Sequence, residues 1–409
     1  MTITFDYFSI AISVFLLLLA LISPWFSSMA RRPRIKMADD IQNTSENNVD
    51  ESTCNSDSTE TTEVHTPTGA TSALPFVSIV LAVHDNACEL EERLPQLLEQ
   101  QYRGKWEVII VDESSTDDTQ DVLTRAKAKY PRLYTTFIPE SSHYISRRKL
   151  SLTMAVKASK GDWILITDID CKPTGNRWLA TMAEHATDDK DLVMGYTSYD
   201  ADTPAYWRYD RLNTLCYQLH RIKNGIAYRN VGCNLMFRKS DFIQQKGFLH
   251  NLVHLRGEYD FIVNEMATPD RTAFVYDFQA QLCQRCPADK TWLYDHLYYL
   301  ESRTLMKRGL RHRLLCNTDQ WMLHLGWLLP MAALAYAISA SNLVVTVAAT
   351  VALLLTLVTR LTIFLSTCRQ FDEHISWWKA PWLEVRTVWQ NAWLMWRHRR
   401  ADRFDFIRK

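Results

Sequence analysis

Glycine is scarce in this chain, at 11 of 409 residues. Neither GxxxxGK[ST] nor GxGxxG stands at its first strand–helix turn, which excludes a glycine loop as the phosphate cradle there. No excess charge of either sign exists. Lys and Arg total 46, as do Asp and Glu, so nothing global favours nucleic acid. Cysteine is present but not organised. Nine residues, an odd number without dense spacing, fit reduced thiols in a cytosolic compartment better than a disulfide scaffold. Cys283-Gln284-Arg285-Cys286 is a CxxC with no second pair near it, whereas closed zinc sites need four ligands. Cations are missing locally as well. Between Met37 and Glu92 there is no Lys or Arg, while acids recur. Within that tract, Asp39 to Ser72 is almost without large apolar side chains. It cannot offset its chain entropy and reads as a disordered tether.

Apolar sequence is concentrated near the two ends. Phe8 to Phe26 carries no charge, close to the ~20 residues a membrane span needs. Arg31, Arg32, Arg34 and Lys36 follow it, and only Asp6 precedes it. A secretory signal has the reverse order, so the segment reads as an uncleaved anchor; a cleavable signal is the alternative. Trp321 to Ala340 and Leu343 to Thr359 are also uncharged, with only Ser341 and Asn342 between them. They read as a helical hairpin. Lys307, Arg308, Arg311 and Arg313 precede it, and Arg360 and Arg369 close it. All these cations fall on one side, which puts Arg31 to Asp319 in the cytoplasm. Arg360 is near enough to a span end to snorkel. Beyond it, Trp378, Trp382, Val385, Trp389, Trp393 and Trp396 recur at helical spacing, with Arg397, Arg399 and Arg400 behind them. This is the pattern of an interfacial amphipathic helix, or of a stripe packed on a soluble domain.

Between the apolar ends, strand and helix patterns alternate. "FVSIVLAV" (76–83), "WEVIIV" (106–111), "LYTTFI" (133–138) and "DWILITD" (162–168) read as strands. Leu90, Leu94, Leu97 and Leu98 make a helical face, as do Val122, Leu123 and Ala126, and Ser146 to Ser159 reads as a helix. The alternation implies an α/β fold with a mostly parallel sheet. Ligands of such sheets sit beyond the carboxyl ends of the strands. Three strands end there in His84-Asp85, Asp112-Glu113 and Asp168-Ile169-Asp170.

Carboxylates without a glycine loop suit a divalent cation bridging a diphosphate. Asp170 is placed to ligate such a cation, and Asp168 to ligate it or to hold a sugar hydroxyl. The cation would offset charge on a departing nucleoside diphosphate. Asp112 can accept from a base N–H or from ribose hydroxyls, His84 can pack on the base, and Lys149 is a diphosphate or ribose contact if it is not a plain surface lysine.

"VSIVLAVHDNACELEERLPQLLEQQY", "EVIIVDESSTDDT", "SRRKLSLTMAVKASKGDWILITDIDCKP" and "RNVGCNLMFRKSDF" together resemble the family 2 inverting glycosyltransferases, most closely the membrane-anchored bacterial branch. The resemblance covers about Phe76 to Arg308. It implies a glycosyltransferase-A fold and a nucleotide-diphosphate sugar donor, usually a UDP-sugar. It also implies Asp112 near uracil or ribose, Asp168 and Asp170 as the DxD, and Mg²⁺ or Mn²⁺ on Asp170. His84, Asp85, Glu113 and Lys149 complete the expected donor site.

An inverting transfer needs a base on the acceptor side. The family's base is the Asp of a Glu-Asp pair, and the nearest match is Gly257-Glu258-Tyr259-Asp260-Phe261. Aligning Phe261 with the motif's leucine puts Glu258 at the base, with Asp260 as fallback. Processive members carry Gln-x-x-Arg-Trp; the matching region has Asp295, Tyr298 and Tyr299 instead. The aromatic residues there, Trp292 and Tyr294 included, suit stacking on sugars or packing at a membrane surface. The expectation is a non-processive, metal-dependent glycosyltransferase of the bacterial inner (plasma) membrane. Its catalytic domain is cytoplasmic, and its acceptor is lipid-linked or another glycan. A non-catalytic nucleotide-sugar-binding scaffold subunit is the alternative, and a two-metal nucleotidyltransferase a third reading. The expected divisions are an anchor (1–30), a basic flank and linker (31–73), the catalytic domain (74–316), a membrane hairpin (317–368) and a Trp/Arg-rich tail (369–409).

Overall fold

The computed structural model describes residues 6–33, 74–139, 146–223, 227–252, 254–307 and 310–402. The expected tether at 39–72 lies outside them. In chain order the elements are α1 (Tyr7–Ile22), β1 (Val77–Val83), α2 (Ala87–Leu98), β2 (Trp106–Asp112), α3 (Thr119–Lys129), β3 (Leu133–Phe137), α4 (Arg147–Ala158) and β4 (Trp163–Ile166). There follow β5 (Cys171–Pro173), α5 (Trp178–Glu184), β6 (Leu192–Gly195), β7 (Thr197–Tyr199), α6 (Ala205–Lys223), β8 (Leu235–Arg238), α7 (Lys239–Gln244), α8 (Glu258–Met266), β9 (Thr272–Val275) and β10 (Leu282–Gln284). The chain continues with α9 (Asp289–Ser302), α10 (Leu310–Ser339), α11 (Leu343–Phe371) and α12 (Ala380–Arg400).

The apolar runs become central strands because both faces of each are covered. Every residue of β1 is buried. Alternate side chains serve opposite layers: Ile79 and Leu81 pack with Leu90, Leu94 and Leu97 of α2, and Val80 packs with Leu152 and Val156 of α4. Each such residue contributes roughly 1.5–3 kcal/mol on burial. The main sheet has seven strands in the order β3-β2-β1-β4-β8-β6-β9. All pairings are parallel except the two made by β8. β1, β2 and β4 therefore end at one edge, with Val83 opposite Asp112. A small second sheet, β5-β10-β7, closes over that edge.

Three helices are long and apolar enough to cross a membrane: Tyr7–Phe26, Thr318–Ser339 and Leu343–Phe371. α11 is longer than its uncharged stretch. Its 29 residues span on the order of 43 Å, against ~30 Å of hydrocarbon. The surplus packs into the core beneath the main sheet. Phe364, Cys368 and Phe371, with Ile375, Ala380 and Leu383 after them, join Val80, Ile109 and Leu235 in one cluster. Just beyond α11, buried Glu373 accepts from Tyr196 Oη at 2.7 Å and pairs with Arg208 at 2.9 Å. Arg360 does not snorkel as its position suggested. It is buried and ion-paired with Glu384 of α12, because α12 folds back across the end of the hairpin.

Candidate active site

The loops after β1 and β2 are stitched together by their acids. Ser115 donates its N–H and hydroxyl to Asp112 Oδ1 at 2.9 and 2.6 Å, and Asp85 N–H donates to Ser115 Oγ. Thr116 N–H donates to Asp85 Oδ1 at 2.7 Å and lowers that carboxyl's pKa. Asp85 sits at φ +51°. His84 is exposed, 3.5 Å from Asp85. Glu113 points toward α4 and accepts from Ser151 Oγ. Of this group only Asn86 borders the main cavity.

The DxD acids follow β4 and are held differently from each other. Asp170 accepts from Gln284 Nε2 at 2.7 Å and from Cys171 Sγ, both from the small sheet. Asp168 is paired with Arg148 and accepts from Tyr259 Oη at 2.6 Å. Burial pushes the Asp168 carboxyl up to about 6; Arg148 opposes the shift and Asp170 adds to it.

The same Arg148 reaches Glu258, the acid expected on the acceptor side, with its Nε 2.8 Å from Glu258 Oε1. Glu258 opens α8 after Gly257, whose φ of +90° is left-handed. A Cβ at Gly257 would stand 3.1 Å from Ser302 Cβ, so glycine suits both the turn and the close approach. Glu258 Oε2 is buried and has no hydrogen-bond partner among the described residues. Asp260 faces another way. It accepts from Asn230 N–H at 3.1 Å and lies 3.6 Å from Arg229. Burial pushes it up to about 6, opposed by Arg229.

One expected contact is corrected. Lys149 is fully buried, and its Nζ donates to the carbonyls of Asn251 and His254 at 2.7 and 2.8 Å. It staples a loop rather than meeting a ligand, and burial pulls its ammonium down to about 8. Its neighbour Arg148 takes the site. Arg148 stands four and seven residues before buried Leu152 and Ala155, so it and Lys149 both fall on the inward side of α4 and helical phase does not choose between them. Tyr259 and Gln284 had no sequence signal either. Asn234 is structural too, donating to the carbonyls of Tyr196 and Ala280.

Asp168, Asp170, Arg148, Glu258 and Asp260 all line one cavity of about 870 Å³. Its wall continues through Trp292, Asp295, Tyr298 and Tyr299 of α9 to Asp319 and Leu323 of α10 and Asn391 and Met395 of α12. Trp292 is stacked on Trp207 at 5.0 Å, and Arg229 covers the Tyr299 ring at 3.6 Å.

A family model described as glycosyl transferase family 2 matches residues 78–245, which hold the strand-end acids and α4. That match gives the chain a glycosyltransferase family 2 domain over these residues. Over 182 residues it is 27% identical to glycosyltransferase AglE of Haloferax volcanii, covering 43% of this chain and 57% of that protein. Over 99 residues it is 28% identical to the putative teichuronic acid biosynthesis glycosyltransferase TuaG of Bacillus subtilis, covering 24% and 37%. The chain thus spans just over half the length of one curated relative and under half of the other. Among solved structures it is similar to the mannosyltransferase PcManGT of Pyrobaculum calidifontis, in complex with GDP-Man and Mn²⁺. The TM-score is 0.47 at 19% identity, covering 79% of this chain and 88% of that one. S. aureus TarS 1–349 gives a TM-score of 0.38 at 13% identity, covering 80% and 92%.

A divalent cation fits the donor set at Asp170. Its two oxygens have one protein donor each and keep lone pairs for a hard cation. Asp168 has one oxygen committed to Arg148 and Tyr259. Among the described residues no group of three His, Cys, Asp or Glu is arranged to hold a metal, so the remaining ligands would come from a diphosphate and water.

Proposed function

We propose that this chain is a membrane-bound inverting glycosyltransferase. It moves a sugar from a nucleoside-diphosphate donor, a UDP-sugar first among candidates, to a membrane-associated or glycan acceptor, without processive extension. The observation that carries the reading is a single cavity joining the Asp168–Asp170 pair to the unpartnered oxygen of Glu258 through Arg148.

Glu258 takes the proton of the acceptor hydroxyl as that oxygen attacks the anomeric carbon. The bond from that carbon to the diphosphate breaks, and its electron pair leaves with the nucleoside diphosphate. Asp112, with His84 and Asp85, holds the base and ribose. Glu113 braces α4, and Arg148 fixes both Asp168 and Glu258. Mg²⁺ or Mn²⁺ at Asp170 would offset charge developing on the diphosphate. The three candidate spans support a membrane location. The basic flanks support a catalytic domain on the cytoplasmic side of a bacterial inner membrane.

The test is nucleotide binding and sugar-nucleotide turnover by the solubilised chain, with and without Mn²⁺. The reading predicts metal-dependent binding of UDP that Asp170→Ala abolishes, and release of UDP on turnover. Metal-indifferent binding in Asp170→Ala would overturn the assigned donor site. Binding without turnover for any sugar would favour the scaffold reading, and release of pyrophosphate the nucleotidyltransferase reading.

A further inference from the structure

α12 carries its tryptophans outward. At ~100° per residue, Trp382, Trp389, Trp393 and Trp396 fall within roughly 60° of arc, and all four are exposed, Trp382 at 66% and Trp389 at 64%. Trp377 and Trp378, just ahead of the helix, are exposed as well. Cations are interleaved with the rings: Lys379 lies over Trp378, Arg397 over Trp393 and Arg400 over Trp396, at 5.2, 5.3 and 4.1 Å. Leu383, Thr387 and Leu394 make the buried face.

The contacts of α12 say where this stripe lies. It meets α10 six residues into the apolar span that begins at Thr318, where the Trp389 ring is 5.9 Å from His324. It meets α11 toward its end, through the Arg360–Glu384 pair and the packing of Leu383 in the cluster that holds Phe364. Ser27 and Ser28, just after α1, border the same cavity as Glu384. These are the three span ends that carry the basic flanks. α12 therefore crosses one common end of all three spans. Tryptophan and arginine on one face at that level match the chemistry of a lipid headgroup layer, where rings sit at the boundary and cations meet phosphates. The inner face has a separate task. Thr387, Val388, Asn391, Leu394 and Met395 line the cavity that holds Glu258.

We infer that α12 lies in the headgroup layer of the bilayer, its tryptophans against lipid, and that its inner face forms the acceptor-side wall of the catalytic cavity. An acceptor then meets Glu258 from the level of the headgroups. This rests on the reading of the three spans as membrane helices and is independent of which sugar is transferred.

The full chain is reconstituted in vesicles whose phosphatidylglycerol is brominated near the headgroup end of its chains, since bromine quenches nearby indoles. Alkaline extraction of the vesicles reports the spans separately. The inference predicts quenched emission, and loss of part of that quenching in Trp389→Phe/Trp393→Phe/Trp396→Phe. Trp382→Phe alone gives a smaller loss, and circular-dichroism melting checks that each variant folds. A chain that resists extraction while the triple variant leaves the quenching unchanged overturns the interfacial helix alone; coverage of the stripe by a second copy or another protein gives that result. Release of the chain by alkali overturns the membrane reading and this inference together.

Discussion

Arg148 of α4 holds together groups that come from two other parts of the chain. It pairs with Asp168 after β4 and Glu258 on α8, and donates to Tyr259. Arg148→Gln removes the charge from both pairs and is expected to lower kcat and raise the donor KM. Arg148→Lys is expected to rescue little, because an ammonium lacks the planar fork that serves two carboxylates. Steady-state kinetics on both variants checks this. Glu258→Gln is expected to cost ~10²–10⁴ in kcat, the usual worth of a positioned base, with nucleotide binding retained; Asp260→Asn costs less. Equal losses in the two would move the base assignment away from Glu258. Asp260 also bears on stability. Its folded pKa of about 6 lies above the ordinary 3.8, so the unfolded chain gives up this proton first as pH rises. The contribution is intact below about 4 and is lost as pH climbs through about 6. Asp260→Asn is expected to flatten that part of the pH dependence of thermal unfolding. At this scale the strand-end acids were legible, because a buried apolar run ending in carboxylates is unusual. The choice between adjacent Arg148 and Lys149 was settled by tertiary contacts, since both lie on the inward side of α4, and Tyr259 and Gln284 also reach the site only through tertiary packing.

Two elements frame the cavity of the proposed base. α8 begins at Gly257 in a left-handed turn against Ser302 of α9. Gly257→Ala is expected to destabilise by ~1–3 kcal/mol, seen by thermal unfolding, and to lower kcat with nucleotide binding retained. α12 is fixed by its buried pair with Arg360. Burial raises the Glu384 carboxyl and Arg360 opposes it. Glu384→Gln strands the arginine and is expected to cost ~3–5 kcal/mol, while the double change Arg360→Leu/Glu384→Leu costs much less. Denaturant unfolding in detergent compares the two. The first four strands and their helices could be read from long apolar runs with flanking caps. β5, β7 and β10 could not. Each is three residues long, too short for any period, and exists because its partners pair with it. The tryptophan stripe was visible too, but the same spacing serves lipid or protein; only the burial of Leu383 and Leu394 beneath it shows which face is turned out.

At the scale of the whole molecule, the proposed orientation has a simple readout. Cys88 at the start of α2 is an exposed thiol. A membrane-impermeant maleimide is expected to modify it in inside-out vesicles and to spare it in right-side-out ones; the reverse pattern would refute a cytoplasmic catalytic domain. The three candidate membrane spans and the main sheet form one compact unit. The expected divisions at 316/317 and 368/369 run through this unit, since Phe364, Phe371 and Leu383 pack with the sheet. Length and hydropathy mark where a helix suits lipid, and are silent about which of its turns a soluble domain will claim. The Glu373 bridge to Tyr196 and Arg208 has a practical side. A gene fragment stopping before α10, the usual recipe for a soluble catalytic domain, discards Glu373 and leaves a buried phenol and a guanidinium without it. The hairpin is thus not an interchangeable tether: transplanting this catalytic sheet onto a foreign anchor requires carrying the last turns of α11 and the loop to α12 with it.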